Sequence, residues 1–141
     1  MFGKTYIERV AAWQKFRQEL ETSDDPIQDA IAAYASLPVV SIYTDPWTRE
    51  SWPNPWELID ENTYCDYCII LGICYTLQLT ERFKDSKFEI HIAIDRSESK
   101  DYYLLFIDDI VIGYDEYDYV HKSKIPSHVR SQLIHSMPAL N

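Results

Sequence analysis

Glycine is scarce, with 3 residues in 141, at Gly3, Gly72 and Gly113. None stands in a glycine-rich stretch, which excludes the phosphate-cradling loops of nucleotide-binding folds. Basic residues are in deficit as well: 13 Lys+Arg face 23 Asp+Glu, for a net charge of -10. A domain with that field repels phosphate backbones and anionic lipid. Direct nucleic-acid binding and membrane docking are therefore disfavoured, while a basic protein partner, or mimicry of DNA, is allowed. No apolar run reaches the roughly 18 residues of a membrane span. The opening MFGKTYIERV lacks the basic-then-apolar layout of a secretion signal. Cysteine is limited to 3 residues, an odd number that cannot all pair within the chain. Clustered at Cys65, Cys68 and Cys74, they read as reduced thiols in a cytosolic setting. The length suits one domain, residues 1–141, and the balance suits a soluble, unsecreted protein.

Aromatic residues, by contrast, are plentiful: 11 Tyr, 4 Trp and 5 Phe, types enriched at protein interfaces. The first part of the chain, 1–43, reads as helical. Residues 4–22 place Ile7, Val10, Trp13 and Leu20 on an approximate helical stripe with Phe16 beside it. Asp25 and Pro26 signal a second helix, to about Ser36, with Ile27, Ala30, Ile31, Tyr34 and Leu37 on one side. Val39–Tyr43 is a short apolar run, strand or extended. Residues 44–55 hold three prolines and two tryptophans, which forbids a regular helix or a central strand. This arm, pinned by Trp47 and Trp52, either packs on its own domain or docks on a partner.

Residues 56–120 form the expected core. WELIDE, which contains Trp56, suits one helical turn. Tyr64–Phe83 is apolar nearly all round and reads as a central buried helix. Three successive strands follow at hairpin spacing: KFEIHIAID, YYLLFI and IVIGY, the last two joined by a tight turn at Asp108-Asp109. In the tail, 121–141, Pro126–Met137 carries Val129, Leu133, Ile134 and Met137 and reads as a short helix. The expected fold class is α+β, with N-terminal helices, a central helix on a small antiparallel sheet of about three strands, and a C-terminal helix.

Chemistry has four candidate seats. Cys65 falls at the start of the central helix, where the dipole lowers a thiol's pKa. Cys65-x-x-Cys68 has a zinc-like spacing, but Cys74 lies about half a turn away round the helix. No second ligand pair is spaced to complete a site, so no metal and no cofactor is expected. His121, His128 and His135 are surface or seam residues, the last two on one helical face if the tail is helical. The stretch Asp108–Tyr119 interleaves Tyr114, Tyr117 and Tyr119 with Asp115, Glu116 and Asp118. It fits no calcium loop and reads as a solvated rim or a contact surface for a basic partner.

A helix-start cysteine followed by an antiparallel sheet resembles the skeleton of papain-like cysteine enzymes. WPNPWELIDENTYCDYCIILGICYTL is similar to the entry segment of their transglutaminase-like branch, over roughly Pro53–Tyr117. That resemblance implies a His base and an Asp orienter. His91 is the only histidine in the sheet region, and Asp115 stands near the end of the third strand. Roughly 19 residues of helix rise about 29 Å, so a returning strand leaves His91 about halfway down, out of phase with Phe88, Ile90 and Ile92. The family's His position is taken by Asp101, Tyr102 and Tyr103. The expectation is a degenerate, non-catalytic version of the fold; an enzyme would use Cys65, His91 and Asp115, and a helix break at Gly72 would bring His91 closer.

More broadly, LETSDDPIQDAI, WPNPWELIDENTYCDY, ICYTLQLTERF, FEIHIAIDR and FIDDIVIGY resemble a small protein of contractile-tailed cyanobacterial phages. This implies a virion structural or adaptor protein of neck, tail or baseplate, present in host cytoplasm before assembly. Its partners would be other virion proteins or further copies of itself. A host-directed acidic inhibitor of a basic host protein is the other non-enzymatic reading.

Overall fold

Two capped helix starts organise the N-terminal half of the computed structural model, which describes residues 2–41, 44–116 and 118–140. Helix α1 spans Tyr6–Leu20, and the Thr5 hydroxyl accepts from the Glu8 amide. Helix α2 spans Pro26–Ala35, with Asp25 accepting from the Gln28 amide and Pro26 in the first turn, where its missing N–H leaves no bond unmade. The apolar stripe of α1 buries Trp13 and Leu20 and half-buries Val10 and Phe16, but Ile7 is 80% exposed. Arg9 points inward at this turn instead. Its guanidinium donates to the carbonyls of Lys4, Ile59 and Asp60 at 2.6, 2.8 and 2.9 Å. The latter two belong to helix α3, Pro55–Glu61, whose last carbonyls need such donors.

The central helix α4 spans Asp66–Gln78, shorter than the expected Tyr64–Phe83. It runs unbroken through Gly72 and stops where the Thr80 hydroxyl donates to the Leu77 carbonyl at 2.7 Å. A separate 3-10 turn, Glu81–Phe83, follows. Its Glu81 and Arg82 amides donate to the Glu21 carboxylate.

Three helices meet at one hydroxyl. Thr76 of α4 donates to the Gly72 carbonyl at 2.7 Å and accepts from Trp13 Nε1 of α1 at 3.0 Å. Tyr34 Oη of α2 lies 2.9 Å away. A hydroxyl has one proton and two lone pairs, so Tyr34 must be the donor and every group is satisfied. Gly72 permits this geometry, because a Cβ there would stand 2.4 Å from the Tyr34 ring.

The sheet has five antiparallel strands in the order β4-β3-β2-β1-β5. These are β1 Phe88–Asp95, β2 Lys100–Ile107, β3 Ile110–Ile112, β4 Tyr119–His121 and β5 Val129–Ser136. The expected three are β1 to β3; β4 and β5 are additional. Phe88, Ile90, Leu105, Ile107 and Ile112 face the helices. Ala93, Leu104, Val111 and Val129 form a second small core on the other face, packed by Ile125. Ile125 belongs to the link between β4 and β5, which lie on opposite edges, so this link crosses the sheet as a strap. About 19 Å separates strands four places apart, within reach of residues 122–128.

The expected C-terminal helix is therefore corrected to a strand, β5, paired with β1. Its register shifts at Gln132: Ser131 stands opposite Ala93, while Leu133 stands opposite Ile92. This bulge turns Val129 and Ser131 to the strap face but Leu133 and His135 to the helix face. Apolar residues at 129, 133, 134 and 137 thus mimic a helical spacing. Of the apolar run Val39–Tyr43, Val39 makes one parallel bridge with Tyr64; Ile42 and Tyr43 lie outside the described residues.

Thr76→Val should lower unfolding stability by about 2–4 kcal/mol, because it leaves Trp13 Nε1 and the Tyr34 hydroxyl without their acceptor in a dry core. Thr76→Ser should cost well under half of that. Urea denaturation of the three proteins measures the difference.

Candidate functional site

The three residues an enzyme would use are not brought together. Cys65 is the N-cap of α4 and is 0% exposed. His91 stands mid-strand on β1, opposite Leu104 and Ile134, on the strap face. Its ring stacks on Phe106 at 4.0 Å. Nδ1 lies 2.7 Å from Ser131 Oγ and Nε2 lies 3.3 Å from Glu89 Oε1. Both nitrogens are thus engaged, and the sheet itself separates this imidazole from Cys65. Asp115 lies beyond the end of β3, on the rim of a groove. Near Cys65 stands Tyr103, whose pKa is raised by burial and then by Asp101, Asp66, Cys65 and Asp45.

That groove has a volume of about 400 Å³. It opens where α2 and α4 diverge from the ends of β2 and β3. Ala35, Val39 and Ile69 give it apolar surface, over a floor of Ile70 and Ile73 of α4 and Ile112 of β3 that are themselves buried. Asp66, Asp101, Asp115 and Glu116 also line it, with Lys100 as the cation among the lining residues. The Lys100 ammonium sits 4.8 Å from the Tyr102 ring centroid, and Tyr102 packs on Tyr114 at 5.5 Å, both rings lying against the small core on the strap face. Gly113 has φ +105°, and a Cβ there would fall 2.3 Å from the Tyr103 carbonyl and 3.3 Å from Ile70. Glycine is required for the chain to turn out of β3 so close to this wall.

The expected contact residues divide. Tyr114, Asp115 and Glu116 line the groove. Asp118 is exposed, and its carboxylate accepts from the Tyr119 amide. The Tyr119 hydroxyl donates to Asp25 at 3.2 Å, tying β4 to the start of α2. Tyr117 lies outside the described residues. Asp66, Asp101, Val39, Lys100 and the α4 isoleucines are among the lining residues absent from the expected contact surface. A helix that is apolar all round gives no sign of which side stays open.

The Pro/Trp arm lies on its own domain. Trp52 Nε1 donates to the Asp45 carbonyl at 3.1 Å. Its ring packs on Tyr67 at 5.2 Å and on His135 at 4.5 Å. The Tyr75 hydroxyl donates to the Pro53 carbonyl at 2.7 Å. Trp56 is partly exposed and meets Trp13 edge-on, whereas Trp47 is 57% exposed. His128 does not share a face with His135: it pairs with Asp95 at 3.4 Å, and His135 is under the arm. His121 lies 2.9 Å from the Ser123 hydroxyl. No group of three His, Cys, Asp or Glu side chains converges among the described residues, and no helix among them is long and apolar enough to cross a membrane.

Burial depresses the pKa of His135, with Arg49 adding to the effect and the Pro46 carbonyl opposing it. Burial likewise depresses His91, against the opposing pull of Glu89. A histidine whose folded pKa is lowered costs stability as pH falls below its unfolded value of about 6.5. Asp45, Asp95 and Asp109 are also lowered, by hydrogen bonds from Thr48, Ser97 and Lys122 respectively. Their contribution is present above about 3.8 and is lost only below it. The urea midpoint should therefore fall between pH 7.5 and 5.5, and His135→Phe should reduce that fall. Equal falls in both proteins would show that His135 does not titrate with unfolding.

In comparisons with protein-family models, curated proteins and solved structures, the chain matches none of them.

Proposed function

We propose that this chain is a non-enzymatic adaptor, a structural component of a phage particle, and that it works by holding another protein against the groove face. The observation that carries the reading is the contrast between two sites. The groove is open to solvent and rimmed by carboxylates, with Ala35, Val39 and Ile69 presenting apolar surface, while the Cys65 thiol is 0% exposed and His91 stands on the strap face of the sheet, opposite Leu104. A covalent mechanism needs a reachable nucleophile with a proton acceptor beside it; a docking surface needs exposed apolar area rimmed by polar groups.

The resemblance of the sequence blocks to a protein of contractile-tailed cyanobacterial phages supports a place in the virion, at neck, tail or baseplate, with host cytoplasm before assembly. The order of α4 followed by the β1–β3 meander supports a degenerate transglutaminase-like core that keeps the helix-start cysteine without its base. The net charge of -10 supports a protein partner over nucleic acid or anionic lipid.

Mass spectrometry of purified particles should find the chain at a fixed stoichiometry. Its absence from particles, with recovery on a basic host protein from infected cells, would favour the host-directed inhibitor instead. In the native protein Cys65, Cys68 and Cys74 are all buried, so a maleimide probe at neutral pH should label all three slowly, and quickly only in denaturant. Rapid labelling of Cys65 alone would restore the thiol-enzyme reading.

A further inference from the structure

We infer that Ser131 is an activated nucleophile, with His91 as its base and Glu89 as the orienting carboxylate, and that it accepts the acyl group of a neutral ester or thioester. The three side chains meet on the strap face of the sheet. His91 Nδ1 lies 2.7 Å from Ser131 Oγ, and Nε2 lies 3.3 Å from Glu89 Oε1. A carboxylate accepts and cannot donate. It therefore keeps the imidazole proton on Nε2 and leaves the lone pair of Nδ1 for the serine. Ser131 then donates to its neighbour, which is the arrangement a general base requires. The base is sheltered and the nucleophile is open: His91 is 8% exposed and stacks on Phe106, while Ser131 is exposed on the edge strand β5. The bulge at Gln132 separates Ser131, on this face, from Leu133 and His135 on the other.

Charge sets both the state of the base and the class of donor. Burial lowers the His91 pKa, Glu89 opposes this and Lys87 adds to it, so the ring is mostly neutral at pH 7. Lys87 also braces the second Glu89 oxygen at 3.4 Å. Phe106 of β2 and Ser131 of β5 face the ring without charge. Glu89 and a net charge of -10 repel phosphate and other anionic donors. Ile134, opposite His91 and 52% exposed, adds apolar surface on this edge. A neutral acyl donor meets no such repulsion. In the step, the Ser131 oxygen bonds the acyl carbon and its proton passes to His91 Nδ1. The donor's C–O or C–S bond breaks, and the leaving alkoxide or thiolate takes that proton. One transfer per chain modifies the adaptor and does not depend on its partner.

The test treats the intact chain with a neutral alkyl fluorophosphonate, which the same serine oxygen attacks with loss of fluoride, and locates the stable adduct by peptide mass spectrometry. Ser131 should label far faster than Ser127 and Ser136, which are also exposed. The rate should rise through a midpoint below about 6.5 and level off by neutrality. His91→Gln should slow it about a hundredfold, with a melting curve to check folding. Glu89→Gln should slow it and lower the midpoint, because the carboxylate no longer favours the imidazolium; this variant and the wild-type pH profile carry the test if His91→Gln does not fold. With p-nitrophenyl acetate, about one equivalent of nitrophenolate per chain should appear, and Ser131→Ala should abolish it. Equal labelling of the three serines, a rate that climbs with pH without levelling, an unchanged rate in folded His91→Gln, or no Ser131-dependent nitrophenolate would overturn the inference and leave the adaptor reading standing. Ser131-dependent release well beyond one equivalent would keep the site and overturn the non-enzymatic reading.

Discussion

The buried hydroxyl of Thr76 is the point through which the helical layer is fixed. A hydrogen bond made in a dry interior is worth little net, but its loss strands the partner groups at full desolvation cost. Thr76 serves Trp13 from α1, Tyr34 from α2 and its own helix at Gly72. The glycine lets the Tyr34 ring approach α4 closely enough to donate. One residue without a side chain and one with a small polar side chain thus set how α1 and α2 lie on α4. Arg9 makes a similar tie between α1 and α3, spending a buried cation on main-chain carbonyls.

The sheet is closed over by different means on its two faces. The helices cover one side, and a crossing strap anchored by Ile125 covers part of the other. Joining two opposite edge strands by a short link obliges that link to lie on the sheet. The bulge at Gln132 then lets β5 present His135 to the arm and Ser131 to His91. Local irregularity in one edge strand serves both layers, as bulges commonly do.

The groove is a consequence of this geometry. The helix pair is set by Thr76 and Gly72, while the direction of β3 is set by the need to turn at Gly113. The two do not close on each other at the Asp66 and Asp101 end, and Ile69 of α4 remains partly uncovered there. Acidic residues collect at the rim because loop ends and the first turn of a helix favour them. Their number gives the opening its sign.

Local signals in the sequence sufficed for the parts that depend on nearest neighbours. Asp25-Pro26 announced α2, the apolar run after Tyr64 announced a buried helix, and the alternation in FEIHIAID announced β1. The parity of that alternation also set His91 on the face opposite Ile90, because side chains alternate along a strand. Contacts far apart in the chain were decided only by the tertiary structure. Val129–Ser136 carries a spacing that reads as helix, and only pairing with β1 through a bulge makes it a strand. Ile7 and Arg9 exchange the roles their polarity suggests, because carbonyls 50 and 51 residues away needed a donor. The groove, too, was invisible in one dimension: an all-round apolar helix does not reveal which side its neighbours will leave bare, since that is fixed by how layers pack and not by any residue's own preference.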